Sequence, residues 1–268
     1  MRRAAKIVIS ILFLLFIRPI LKLSRLLKSE KSFYCIIIYY HSIPRSGLKT
    51  FKTQIRILQK FTTVIALGNN YDLDKARMYS IITFDDAFQS VIKNAVPELL
   101  KRKIPFTIFI PAGKMGVKPD WSGYSDDFDE IVAAKDELIN MPNELVTFGS
   151  HTINHVYLSK VIEEEAFKEI KGSKDMLESI LHRKIRFMSF PYGDYDKNVL
   201  ILCKKAGYEQ TFGIRPESPF SPLNKYDKGR IKIETSTWPI EFMLFILGAY
   251  DWVRIKNMLK TRLENINN

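Results

Sequence analysis

Apolar residues follow two patterns along the chain. The first is a short unbroken run that ends in polar chemistry. Tyr34-Cys35-Ile36-Ile37-Ile38-Tyr39-Tyr40 runs into His41-Ser42, and Ile81-Ile82-Thr83-Phe84 runs into Asp85-Asp86. Val146-Thr147-Phe148-Gly149-Ser150 delivers His151 and, four residues on, His155, while Phe187-Met188-Ser189-Phe190 delivers Pro191-Tyr192-Gly193-Asp194. Runs of this length, rich in β-branched and aromatic residues, predict strands covered on both faces. Segments 106–110, 210–214 and 230–234 bring the strand candidates to seven.

The second pattern has a period near 3.6. Phe51, Ile55, Leu58 and Phe61 predict one amphipathic helix, and Phe88, Val91, Ile92 and residues 96–100 another. A long helix is expected over 159–181 and a shorter one over 199–206, with Asp196 suited to its N-cap and Gly207 to its stop. Helical stretches near 241–250 and 252–263 close the chain. Strands alternating with helices predict an α/β fold with a parallel sheet or barrel. An open doubly wound sheet has less support, because no Gly-rich phosphate loop follows the first strand. Residues 111–145 form a longer excursion with Trp121, Tyr124 and several acids, expected over one end of the barrel. No repeat or linker interrupts residues 32–268, so they are expected to form one domain.

Charge changes the picture at the start of the chain. Residues 1–31 hold eight basic residues against Glu30 alone, a net +7 of the total +12. The same segment contains the apolar run 7–17. A basic apolar segment argues for an anionic membrane surface rather than nucleic acid, and no aromatic-interleaved basic patch stands out elsewhere. Arg18-Pro19 follows the run in place of a small-residue cleavage site. The expectation is an uncleaved N-terminal membrane anchor over residues 1–31, spanning or lying in the interface, with a cleaved export signal as the alternative. Cys35 and Cys203 each sit in an apolar run, which predicts buried free thiols.

The candidate chemistry lies at the strand ends. His151-x-x-x-His155 places two imidazoles on one face of a helical turn, where both can reach one cation; two surface histidines are the alternative reading of the spacing alone. Two histidines and a carboxylate leave positions open on a metal, as catalysis requires. Asp85 and Asp86 point to opposite faces if the strand stays regular, but a bend can turn both into one cavity. One can then hold the metal while the other serves as general base; capping of the following helix is the competing role. His182, beside Arg183 and Lys184, reads as exposed.

Taken together the motifs resemble the polysaccharide deacetylase family, also called NodB homology or carbohydrate esterase family 4. Thr83-Phe84-Asp85-Asp86, His151-Thr152-Ile153-Asn154-His155 and Pro191-Tyr192-Gly193 match its three main motifs in order. Tyr40-His41-Ser42-Ile43 and Phe51-Lys52-Thr53-Gln54-Ile55 are similar to one branch of it. The resemblance implies a distorted (β/α)7 barrel with the site at the C-terminal strand ends. It implies a divalent metal, usually zinc, on Asp86, His151 and His155, and Asp85 as catalytic base. It also implies an oxyanion donor at the Tyr192 backbone N–H and N-acetylated glycans as substrates, acted on outside the bacterial membrane. Two departures stand out. An arginine that often orients the base would fall near Ser189, and the late histidine that protonates the leaving amine is absent, since none follows His182. His41 is the best substitute for the latter. Trp121 and Tyr124 are candidates for the floor of a sugar groove, with packing within a surface loop as the alternative. A non-catalytic glycan-binding protein on the same fold, and a deacetylase of a small glycolipid or other amide, are the rival functions.

Overall fold

The computed structural model describes residues 3–17, 19, 34–68, 77–121, 129–216 and 225–252 of the 268-residue chain. The strands are β1 (Tyr34–Tyr40), β2 (Thr63–Val64), β3 (Met78–Phe84), β4 (Phe106–Ile110), β5 (Val146–Ser150), β6 (Phe187–Ser189), β7 (Gln210–Phe212), β8 (Asp227–Lys228) and β9 (Ile231–Lys232). They form a single sheet in the order β8-β7-β6-β5-β4-β3-β1-β9, with β2 on β3. Every pairing is parallel. The seven predicted strands all have counterparts, and the two-residue β2 and β8 are additional. The last strand, β9, returns beside the first.

Alternation within the strands separates two apolar layers. Cys35 and Ile37 of β1, Tyr79 and Ile81 of β3, Phe109 of β4, Phe187 of β6 and Phe212 of β7 meet one another inside the curled sheet. Their neighbours Ile36, Ile38, Tyr40, Ile82, Phe84, Ile108 and Met188 face the surrounding helices. Both layers are buried, which is why the strands read as continuous apolar runs. Phe109 and Phe212 stand 5.6 Å apart, ring centre to ring centre, across this interior. Gly149 of β5 occupies an inward position beside Phe109. A β-carbon there would lie 2.4 Å from the Phe109 ring, so glycine is required by the close approach.

The helices are α1 (Arg3–Leu12), α2 (Leu48–Phe61), α3 (Val96–Lys101), α4 (Lys135–Ile139), α5 (Glu163–Leu181), α6 (Lys197–Lys205) and α7 (Pro239–Ile246). α2 buries Phe51, Ile55 and Leu58, as their spacing predicts. α5 buries Ala166, Ile170, Leu177 and Leu181 and leaves its three opening glutamates exposed near the positive end of the helix dipole. Asp196 caps α6 by accepting from the Val199 N–H at 2.9 Å. The helix expected from 88 to 100 passes through a π-helical turn, Val91–Ala95, before α3; Pro97 supplies no N–H to an ordinary helical ladder there. Cys35 and Cys203 are buried free thiols.

The expected anchor is described in part. α1 continues into a π-helical turn, Phe13–Ile17, and lies against α7, where Arg3 donates to Glu241 at 2.8 Å and covers the Trp238 ring at 4.6 Å. No helix among the described residues is long and apolar enough to cross a membrane. Residues 20–31 of the expected anchor, the expected helix from 253 onward, and Tyr124 lie outside the described residues.

Candidate active site

The C-terminal strand ends open into a cavity of about 570 Å³ whose lining includes His41, Asp85, Asp86, His151, His155 and Tyr192. The six residues to which the sequence assigns catalytic or metal-binding roles are therefore brought together. One wall comes from residues 232–236, the end of β9 and the segment that follows it.

Asp85 and Asp86 reach the cavity by different means. Asp85 continues the inward alternation of Tyr79, Ile81 and Thr83. Asp86 would face outward on a regular strand. The chain turns instead, with positive φ at Asp86 (66°) and Ala87 (53°), and the second carboxylate swings to the same side. Non-glycine residues in this region cost about 1–2 kcal/mol each, so the surrounding structure must hold the bend.

The Asp86 Oδ1 atom lies 3.5 Å from His151 Nε2 and 3.2 Å from His155 Nε2, with all three residues buried. One ligand atom from each lies within 4.8 Å of the others. His151 Nδ1 stands 2.8 Å from the Ser189 carbonyl oxygen. A carbonyl only accepts, so the proton sits on Nδ1 and the bare Nε2 lone pair faces the carboxylate. Burial pushes the His151 pKa down to about 4, so this ring is neutral at ordinary pH. A lone pair turned toward a carboxylate oxygen in a buried site is an arrangement that a shared cation reconciles. The donor set fits a divalent metal with open positions.

The loop carrying these histidines differs from the helical turn that their spacing suggested. Residues 151–157 form no helix, and Thr152 and His155 have φ of 66° and 59°. Local side chains replace the helical bonds. Thr152 Oγ1 accepts from the His155 N–H at 2.9 Å, and Ser150 Oγ from the Thr152 N–H at 3.3 Å.

Asp85 has a partner that the sequence did not reveal. Arg230, fully buried between β8 and β9, donates Nη1 to Asp85 Oδ1 at 2.8 Å and Nη2 to Oδ2 at 2.7 Å. The same guanidinium donates to Thr83 Oγ1 at 3.0 Å, Ser189 Oγ at 2.6 Å and the Gly213 carbonyl at 3.3 Å. It sits over the Tyr39 ring at 4.5 Å. Ser189 cannot supply an arginine's charge itself, and it accepts from one that arrives from another strand connection. Burial alone would raise the Asp85 pKa, but Arg230 opposes this and holds it below the usual carboxylate range. Asp85 is thus ionised and oriented beside the metal-type triad. Segment 230–234 was legible as a strand, but nothing in it marked Arg230 as an inward group.

The remaining candidates divide. His41, half-buried, faces the cavity with its ring edge-on to Tyr39 at 5.4 Å. Tyr192 has φ of 58°, stacks on Tyr157 at 3.7 Å and stands edge-on to His155 at 4.7 Å. Trp121 does not floor a groove. It is buried and stacked between Phe88 and the His155 ring, 4.4 Å from the latter, and so forms a wall behind that histidine. Asp194 accepts from the backbone and hydroxyl of Ser159 at 2.8 and 2.7 Å and fastens a turn. His182 is exposed and ends α5 with a left-handed backbone.

Comparison with known proteins agrees with this arrangement. Residues 73–211, just over half of the chain, match the family model for polysaccharide deacetylases. YxkH of Bacillus subtilis, assigned by name to the polysaccharide deacetylases, is 24% identical over 77% of this chain and 74% of its own length. The poly-β-1,6-N-acetyl-D-glucosamine N-deacetylase of Staphylococcus aureus is 29% identical over 57% of this chain and 53% of that enzyme. IcaB from Ammonifex degensii shares the fold, with a TM-score of 0.68 at 23% identity over 80% of this chain and 97% of that one. Motifs, strand-end geometry and family match coincide on the same residues, and the chain belongs to the polysaccharide deacetylase family.

Proposed function

We propose that the protein removes N-acetyl groups from an amino-sugar glycan by hydrolysis, releasing acetate, with a divalent metal, zinc first among them, on Asp86, His151 and His155. The observation that carries this reading is the pairing of the two carboxylates with different partners: Asp86 with two imidazoles, Asp85 with Arg230. Family membership supplies the reaction class, hydrolysis of a carbon–nitrogen bond. A bound metal supplies Lewis-acid polarisation of the acetamide carbonyl. Asp85, ionised and held by Arg230, takes the proton from the attacking water. His41, on the end of β1 in the same cavity, returns a proton to the departing amine. The Tyr192 backbone N–H is assigned to the developing oxyanion, where one donor contributes about 3 kcal/mol.

The glycan class follows the S. aureus relative, whose name specifies poly-β-1,6-N-acetylglucosamine. One observation keeps a shorter substrate in view. Trp121 lies behind His155 rather than along an open groove, so the aromatic floor expected for a long glycan chain is not built from it. We assign residues 1–31 to membrane attachment and the activity to the outer face of a bacterial membrane. The basic excess of that segment and the exposed Val8, Leu12, Leu15 and Phe16 support attachment. Their substitution by serine is expected to release the protein from the membrane fraction.

The direct test is acetate release from N-acetylglucosamine oligomers with added zinc, for the natural protein and for Asp85→Asn. Release by the first and none by the second, with zinc still bound to both, is the expected outcome. Oligomer binding without release by the natural protein replaces this reading with that of a glycan-binding protein. Release only from monomeric or lipid-linked sugars replaces it with a small-substrate deacetylase.

A further inference from the structure

We infer that Glu169 is a positioning residue for the metal site, setting the distance between His151 and His155 without touching the metal. The inference rests on the assignment of Asp86, His151 and His155 to a divalent metal.

Glu169 lies on α5, outside the cavity, with only 5% of its surface exposed. A carboxylate buried this deeply is costly unless its oxygens are fully used. They are used on the loop between the two histidines. Oε2 accepts from the Ile153 and Asn154 N–H groups, both at 2.8 Å, and Oε1 accepts from Asn154 Nδ2 at 2.6 Å. Two successive peptide N–H groups converging on one oxygen form a nest, which binds an anion in preference to a neutral group. Thr152, just before this nest, has φ of 66°, and His155, just after it, 59°. The strained ends of the loop are where the ligands hang, and the clamp lies between them.

The rest of the loop is gripped from the other side. The Ala112 and Gly113 N–H groups donate to the Thr152 and Ile153 carbonyls, both at 2.9 Å. Ile153 sits between two glycines: a β-carbon on Gly113 or Gly172 would come within 2.7 or 2.8 Å of its side chain. The loop carbonyls are thus held by the turn after β4 and its N–H groups by Glu169. Removing the carboxylate takes the acceptor from two part-buried N–H groups and lets the Thr152–His155 segment relax toward ordinary φ. That relaxation moves His155 away from His151.

The test is zinc affinity by calorimetry on metal-stripped protein, together with the ligand-field spectrum of the cobalt form, for the natural chain, Glu169→Gln and Glu169→Ala. Substitutions that disturb groups supporting metal ligands weaken binding by about 10–100-fold, and Glu169→Ala is expected in that range. Glu169→Gln keeps shape and one acceptor but loses charge-assisted bonds, about twice as strong as neutral ones, and is expected several-fold weaker. The cobalt spectrum of both is expected to shift, which loss of stability alone does not produce. Should Glu169→Ala fail to fold, Glu169→Gln decides alone, being isosteric. Natural-strength zinc binding and an unshifted cobalt spectrum in a folded variant overturn the inference. Natural protein that binds neither metal overturns the metal assignment itself, and the inference with it.

Discussion

Arg230 and Asp85 form a two-pronged ion pair at 2.8 and 2.7 Å, joining groups 145 residues apart in the chain, with the arginine fully buried. The pair links β3 to the β8–β9 connection and draws Thr83 and Ser189 into the same network. Removing one partner of a buried pair costs about 3–5 kcal/mol because the other charge is left uncompensated. Arg230→Gln is therefore expected to lower both thermal stability and turnover. Arg230→Lys restores charge but offers a point donor in place of a planar fork. Turnover is expected to fall about tenfold or more with lysine, corresponding to at least about 1.4 kcal/mol of transition-state stabilisation. Equal kcat in natural and Arg230→Lys protein removes the orienting role. Thermal melts read alongside kcat separate the loss of orientation from the loss of fold.

The site was half legible in the sequence, and the division has a physical cause. Asp85, Asp86, His151 and His155 follow strand runs closely, so local pattern placed them at one end of the sheet. Arg230 belongs to a connection between two short strands, and its direction is set by the curl of the sheet rather than by any local period. The loop from His151 to His155 kept the expected pairing of imidazoles but not the expected helix. Left-handed residues at Thr152 and His155, held by Ser150, Thr152 and Glu169 side chains, outweigh the local helical spacing. Trp121 was legible as a large aromatic in an excursion. Its stacking on His155 depends on how that excursion folds back.

His41 is the proposed proton donor. His41→Ala is expected to lower kcat by about 10²–10⁴-fold, the usual range for a general acid or base. Zinc content is expected to stay at the natural level, because the proposed ligands follow β3 and β5 while His41 follows β1. Unchanged turnover rejects the role.

Metal-free protein should lose stability on mild acidification. Burial lowers the His151 pKa from 6.5 to about 4 in the folded state. Between those values the unfolded chain binds a proton that the folded chain does not, so stability rises with pH across this window. The contribution is complete above the unfolded value and lost as pH falls toward the folded one, up to about 3 kcal/mol in all. Asp85 acts in the same direction at lower pH: its depressed pKa contributes stability above the ordinary carboxylate range that disappears on further acidification. Urea melts of the metal-free protein at pH 7 and pH 5 check the first window, with a lower midpoint at pH 5. His151→Asn should flatten the difference.

Gly149 and Phe109 are expected to be coupled. A β-carbon at 149 would lie 2.4 Å from two Phe109 ring atoms and 3.1 Å from the Phe187 carbonyl oxygen. Phe109 is fully buried and also meets Phe212, so its ring cannot swing into open space. Gly149→Ala therefore pushes β5 outward, and Ser150 and His151 move with it. Overpacking of this kind costs about 1–3 kcal/mol. Phe109→Leu alone leaves a cavity. Combined with Gly149→Ala it makes room for the new methyl group, and the double variant should be more stable than the two single losses sum to, by roughly 0.5–3 kcal/mol. Urea denaturation of the four proteins measures that coupling, and additive losses exclude it. Zinc affinity should follow the same order, since the strand that carries Gly149 also delivers His151 to the metal site.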